Sequence, residues 1–280
     1  MTACSARWFA RRGRPRRVVL CYHSIHPTNR FASASPQAFT EQLTWLRQAC
    51  DVVPFSRITA ARADDAKPAV AITFDDGYAD NHDVALPILH DLGLGATFFV
   101  TAGFVDRDPA VLEHFQRDRG ASLEEIAPLT WEQVAGLRSA GMDIGAHTWS
   151  HANLAQLPAP EVERELRRSK ELLEERLGAE VATMAYPYGK RDRHFTDETM
   201  RIAASVGYES CAAVLFRGVT DSDDRHAIPR FFINGGDDLR SLQAKVRGDW
   251  DVIGWWQESS PRWAARLVSP SDFAQEAVRA

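Results

Sequence analysis

No run of about 20 apolar residues occurs anywhere in the 280-residue chain, so no membrane-spanning helix is expected. Cysteine is sparse as well: Cys4, Cys21, Cys50 and Cys211 are scattered, with no C-x-x-C pair among them. That excludes a dense disulfide framework, and the four read as buried or incidental thiols in a reducing compartment. An excess of basic charge is also missing. Lys and Arg number 33 against 38 Asp and Glu, a net charge of −5 with both signs interspersed, which removes the global basic field that a nucleic-acid partner would need. Six arginines do crowd the first seventeen residues (Arg7, Arg11, Arg12, Arg14, Arg16 and Arg17). The apolar run of a signal peptide does not follow them, so the expected location is cytoplasmic. This basic start, residues 1–17, reads as a solvated tail, the alternative being weak contact with an anionic inner membrane surface.

What is present is the composition of an ordinary globular protein, 45% apolar and 25% charged. From about residue 18 to residue 247, short apolar runs alternate with segments of helical period. "RVVLCYH", "AVAITF", "ATFFV", "MDIGA", "VATMAY", "ESCAAV" and "IPRFFI" read as strands. Between them, "PQAFTEQLTWLRQA" places Phe39, Leu43 and Leu46 on one helical face. "VALPILHDLG" reads as a helix closed by Gly93, "TWEQVAGLRSAG" as one opened by a Thr130/Gln133 capping box and closed by Gly141, and "PEVERELRRSKELLEERLG" as the longest, ended by Gly178. Another lies near "DETMRIAASVG". Seven or eight such strand–helix units imply a parallel sheet, closed as a barrel in preference to a doubly wound sheet, with functional groups where strands end.

Three strand ends carry chemistry. "AVAITFDDG" finishes in adjacent carboxylates, Asp75 and Asp76; "MDIGAHTWSH" ends in His147 with His151 four residues on; "VATMAYPYG" ends in Tyr186-Pro187-Tyr188-Gly189. Each alone has a bland reading as a turn or a surface pair. Together, two imidazoles and one carboxylate form a three-ligand site with open positions, as in catalytic divalent-metal centres. The remaining carboxylate can then act as a base toward a water acidified by the metal.

In that order, "TFDDG", "HTWSH" and "YPYG" resemble the first three motifs of the NodB-homology polysaccharide deacetylases, carbohydrate esterase family 4. The resemblance spans roughly residues 18 to 235 and extends to "LCYHSI", "GLGATFFV", "SKELLEERLG" and "AIPRFFI", which look most like the branch acting on exopolysaccharide N-acetylglucosamine. It implies a deformed (β/α)7-type barrel that hydrolyses an acetamide on a sugar. It further implies Asp75 as general base, and Asp76, His147 and His151 as ligands of a divalent metal, zinc first, with cobalt or nickel as substitutes. The Tyr188 backbone N–H would meet the oxyanion, and Tyr78, Tyr186 and Pro187 would lie against the substrate.

Two positions depart from the family pattern. An arginine that commonly holds the base aspartate is replaced by Ala185, and Arg230 in "IPRFFI" is the candidate to take its place. The usual late Leu-x-His segment that supplies the general acid is not evident; His23 and His226 are candidates, His23 preferred because it ends a strand. Residues 248–280 hold four of the eight tryptophans and read as a segment packed on the barrel, with a sugar-stacking platform as the alternative.

The expected partner is an N-acetylated amino-sugar glycan or a lipid-linked precursor. A deformylase on a lipid-linked sugar, or a hydrolase of a non-sugar amide, would keep the fold and change the substrate. A ferrous oxygenase would use the same two histidines and carboxylate, but Asp75 has no role there and no oxoacid-binding pattern is present. From another class, a carbohydrate-binding protein that has lost catalysis would explain the two departures.

Overall fold

The computed structural model describes residues 16–28, 31–61 and 67–259. The chain opens with β1 (Arg17–Tyr22), a small ribbon of β2 (Ser24–Ile25) and β3 (Ala32–Ala34), α1 (Pro36–Ala49), β4 (Asp51–Val52) and β5 (Ala69–Phe74). It continues through α2 (Leu86–Asp91), β6 (Thr97–Val100), α3 (Ala102–Val105), α4 (Pro109–Arg119), α5 (Trp131–Ser139) and β7 (Asp143–Ala146). The last third holds α6 (Ala159–Leu177), β8 (Thr183–Ala185), α7 (Asp197–Val206), β9 (Ser210–Ala212), β10 (Phe231–Phe232), α8 (Leu239–Arg247) and α9 (Asp251–Ser259).

The main sheet runs β10-β1-β5-β6-β7-β8-β9, every pair parallel, with β4 beside the start of β5 and β6 beside its end. β5 is buried at every position and β1 at all but Arg17, which is why these strands show continuous apolar runs instead of alternation. Beyond β9, Ile228 N donates to the Cys211 carbonyl at 2.9 Å and Ala213 N donates to the Ile228 carbonyl at 2.8 Å. Phe231 and Phe232 then pair with Leu20 and Cys21 of β1. Segment 228–232 therefore touches both edges of the curled sheet, in agreement with the expected deformed barrel of seven strands.

Because all the strands run the same way, their C-terminal ends share one rim. The helices that cover the outside form for the reasons visible in the sequence. Ser35 caps α1 and Phe39, Leu43 and Leu46 are buried; both halves of the Thr130/Gln133 capping box are made; and Gly178 ends α6 at a φ of 60°, with Val162, Leu166 and Leu173 buried.

Two features differ from the expectation. The helix expected through "VALPILHDLG" starts earlier, as a wide π turn over Asn81–Ala85, with Asn81 Nδ2 donating to the His23 carbonyl at 2.7 Å. The other is α4, which the apolar pattern does not announce. Asp108 Oδ1 accepts from Ala110 N and Val111 N, Pro109 occupies the first turn, and Gly120 closes the helix at a φ of 57°.

Arg16 pairs with Asp251 at 2.9 Å and Trp250 stacks 6.2 Å from Phe216, whereas Trp255 is exposed. Trp263, Cys4 and the arginines before Arg16 lie outside the described residues. The three described cysteines are free and buried, and no described helix is long and apolar enough to cross a membrane.

Candidate active site

The three motifs converge on the rim, and the backbone shows where. Of the six non-glycine residues with positive φ among the described residues, four lie in the motifs: Asp76 (75°), Thr148 (64°), His151 (60°) and Tyr188 (60°). Non-glycine residues enter this region at a cost, and such residues gather at functional sites. The following glycines complete the turns. At Gly189, with a φ of 68°, a Cβ would come within 2.8 Å of the Val214 backbone nitrogen.

Asp75 and Asp76 are both buried, yet point to different partners. Arg230 Nη1 donates to Asp75 Oδ1 and Nη2 to Oδ2, each at 2.7 Å; Nη1 also donates to Thr73 Oγ1 at 3.1 Å and Nε to the Ala213 carbonyl at 3.3 Å. The guanidinium is itself fully buried. Asp76 takes a different arginine: Arg119 Nη2, from the last residue of α4, donates to Oδ2 at 2.6 Å, and Arg119 Nε donates to the Tyr78 hydroxyl at 2.8 Å. Burial alone would raise the pKa of both aspartates. Arg230 and then His147 outweigh it at Asp75 and hold it at about 2, while Arg119 and His151 hold Asp76 well below the usual carboxylate range.

The other oxygen of Asp76 faces the histidines. Oδ1 is buried with no hydrogen-bond partner, 3.3 Å from His151 Nε2 and 3.5 Å from His147 Nε2. His147 Nδ1 lies 2.8 Å from the Ala185 carbonyl, an acceptor only, so Nδ1 carries the proton and Nε2 presents its lone pair. Burial lowers the His147 pKa to about 4, against the opposing pull of Asp75, which keeps the ring neutral. Three ligand atoms, one each from Asp76, His147 and His151, thus converge within 4.8 Å of one another. This donor set fits a divalent ion with open positions for water and substrate.

Around this point an open cleft of about 1780 Å³ is lined by Asp75, His147 and His151, by Tyr78, Tyr186 and Tyr188, and by His23, Phe232, Trp250 and Trp256. The Tyr188 ring packs edge-on 4.7 Å from His151. Tyr78 and Tyr186 reach the cleft while their hydroxyls are engaged, Tyr78 with Arg119 and Tyr186 donating to the His226 carbonyl at 3.0 Å. Pro187 is buried and does not line the cleft; it shapes the turn. His23 lies on the cleft wall 5.1 Å from Phe232, its pKa lowered by burial. His226, the other acid candidate, does not line the cleft, and its Nε2 sits 3.0 Å from the Tyr208 carbonyl.

The sequence reading misses Arg119, whose only local signal is its position between the Asp108-Pro109 start and the Gly120 stop of a short helix. It also misses Cys21, whose Sγ lies 3.4 Å from Asp75 Oδ2.

With this geometry in view, the chain resembles proteins of one kind. It is 28% identical over 195 residues to YxkH of Bacillus subtilis (strain 168), assigned as a polysaccharide deacetylase, covering 68% of this chain and 62% of that protein. It is 24% identical over 265 residues to the poly-beta-1,6-N-acetyl-D-glucosamine N-deacetylase of Escherichia coli (strain K12), covering 82% of this chain and 38% of that enzyme. The chain thus spans less than two thirds of the length of either relative. The solved structure of IcaB from Ammonifex degensii superposes with a TM-score of 0.67 at 25% identity, covering 84% of this chain and 98% of that one. The polysaccharide deacetylase family model matches residues 62–211, more than half of the chain, and the protein belongs to the polysaccharide deacetylase family.

Proposed function

We propose that this protein hydrolyses the N-acetyl group from an amino-sugar glycan, with Asp76, His147 and His151 holding a divalent metal and Asp75 acting as general base. The observation that carries this reading is the division of labour between adjacent aspartates. One is clamped on both oxygens by Arg230, and the other turns a bare, buried oxygen toward the Nε2 atoms of His147 and His151.

When bound, a divalent ion, zinc by the ligand set, would polarise the acetamide carbonyl and make a water beside it acidic. Asp75 would take a proton from the attacking water. It is oriented by a planar fork that fixes both oxygens, so its reach toward the cleft does not depend on a free rotor. The Tyr188 N–H donates to the charge developing on the carbonyl oxygen, from a residue whose left-handed conformation sets the direction of its peptide. His23 rests neutral because burial lowers its pKa; it takes up the proton that Asp75 gained from the water, within the 4.8 Å cluster the two share, and passes it to the leaving nitrogen. The cleft exceeds the ~300–1,000 Å³ of ordinary small-molecule sites, which supports a chain-like substrate. The exopolysaccharide substrate named for the Escherichia coli relative supplies the class: an N-acetylglucosamine polymer or its precursor.

The test is acetate release from N-acetylglucosamine oligomers and from lipid-linked N-acetyl sugars, with and without a chelator. N-formyl analogues run in parallel distinguish a deformylase. Acetate that appears from an acetylated sugar, and stops on chelation with recovery on adding zinc, is the expected outcome. Turnover indifferent to chelation, or confined to the N-formyl substrates, would overturn the reading.

A further inference from the structure

A second group of ligands lies next to the first. β1 and β5 are parallel and pair Cys21 with Thr73. Side chains two apart in an extended chain share a face, so Cys21 and His23 of one strand end meet Thr73 and Asp75 of the other. The contacts follow this register. Cys21 Sγ lies 3.4 Å from Asp75 Oδ2, and one ligand atom each from Cys21, His23 and Asp75 lies within 4.8 Å of the others. The mechanism leaves Cys21 without a role, and His23 Nδ1 is buried with no hydrogen-bond partner.

We propose that Cys21, His23 and Asp75 form a second cation site, one that takes a soft divalent ion such as zinc or cadmium and blocks turnover when it is filled. Thiol, imidazole and carboxylate together favour such ions over magnesium or calcium. Binding releases the thiol proton to solvent, and the resulting thiolate together with the Asp75 carboxylate offsets the nearby Arg230 charge. Arg230 occupies one lone pair on each Asp75 oxygen, and a carboxylate oxygen has a second to give. The two sites adjoin, since Asp75 Oδ2 is 3.9 Å from His147 Nε2. An ion here would capture both Asp75 and His23. Blocking therefore rests on the proposed roles of these two residues, whereas the site itself does not.

The experiment titrates the metal-free full chain with cobalt, and separately with zinc, by equilibrium dialysis with metal analysis. Absorption spectra and acetate release are recorded at each step. The parent should bind a second equivalent, show thiolate-to-cobalt charge-transfer absorption only as that equivalent enters, and lose acetate release by about 10²-fold or more, the scale of lost proton transfer. Cys21→Ser and Cys21→Ala should stop at one equivalent with no such absorption, the retained first equivalent showing that each variant is folded. A parent that saturates at one equivalent, or a second equivalent that persists in both variants, overturns the site. A second equivalent with its thiolate signature but undiminished turnover overturns the blocking role. If no substrate yields acetate under any condition, the proposed function fails while stoichiometry and spectrum still decide the site.

Discussion

Replacing Arg230 directly probes Asp75, the proposed base. The guanidinium makes four contacts: two to the Asp75 carboxylate, one to Thr73 and one to the Ala213 carbonyl. Arg230→Lys keeps the charge and gives up the fork. A single ammonium cannot satisfy both carboxylate oxygens in the same plane, so at least one charge-assisted bond of about 1.5–3 kcal/mol is lost and Asp75 is free to rotate. Arg230→Met removes the charge and leaves a buried carboxylate uncompensated, at a cost of about 3–5 kcal/mol. Asp75 relieves part of that cost by taking up a proton. Its pKa stands at about 2 only because Arg230, followed by His147, outweighs the upward push of burial. The assay is kcat and KM as a function of pH, beside metal content and thermal unfolding. Arg230→Lys should lower kcat by about 10–100-fold, the scale found for partners that orient a metal site, with metal content unchanged. Arg230→Met should also move the acidic limb of kcat/KM upward by about one unit or more as Asp75 becomes harder to ionise. If Arg230→Lys turns over within about twofold of the parent with the same acidic limb, the pair only supports the fold, and the argument from orientation is refuted.

Asp75→Asn should keep its metal and lose about 10²–10⁴-fold in acetate release, because the amide cannot accept a proton; a variant within a few-fold of the parent would place the base elsewhere. His147→Ala and His151→Ala should each sharply reduce zinc content in dialysed protein, and full occupancy in both would remove the ligand assignment. Arg119→Gln takes away the 2.6 Å bond that turns Asp76 Oδ2 from the cleft. Zinc affinity, measured by competition with a chelator, should weaken by about 10–100-fold, whereas an unchanged value would mean that Asp76 is oriented without Arg119. In the metal-free protein, His147 should titrate near 4 by imidazole NMR, against an ordinary 6.5. The unfolded chain binds more protons between those values, so the contribution of His147 to stability rises with pH across that window, by on the order of 3 kcal/mol, and an ordinary titration would contradict it.

How much of this is legible in the sequence depends on how local each signal is. Asp75, Asp76, His147, His151 and Tyr188 sit in short motifs directly after apolar strands, so composition and position both mark them. Arg230 is separated from Asp75 by 155 residues and directly precedes β10 instead of ending a strand; the loss of an arginine at Ala185 nominates it, and its reach to Asp75 follows from β10 and β5 both flanking β1. Arg119 offers no such cue. It sits 43 residues from Asp76 on a helix whose apolar face is little more than Val111 and Phe115, and helical period alone does not reveal where that helix docks. The boundaries of β4 and β10, two residues each, are equally hidden, because their pairing is decided by the neighbouring strand.

Two carboxylates side by side in a buried turn would repel each other and hold a proton unless each had its own counter-charge. The positive φ of Asp76 turns it away from Asp75, and the two arginines, one from the end of α4 and one from just before β10, meet them separately. This arrangement fixes what Asp75 is able to do. A carboxylate held at about 2 is a weak base. It cannot take a proton from ordinary water, whose pKa is about 15.7, but it can assist a water that a metal has already brought toward ~7. On the proposed roles, the same clamp that orients Asp75 leaves it ineffective as a base without a cation held by Asp76, His147 and His151. Removing the cation should therefore abolish acetate release outright, with the fold and Asp75 both intact.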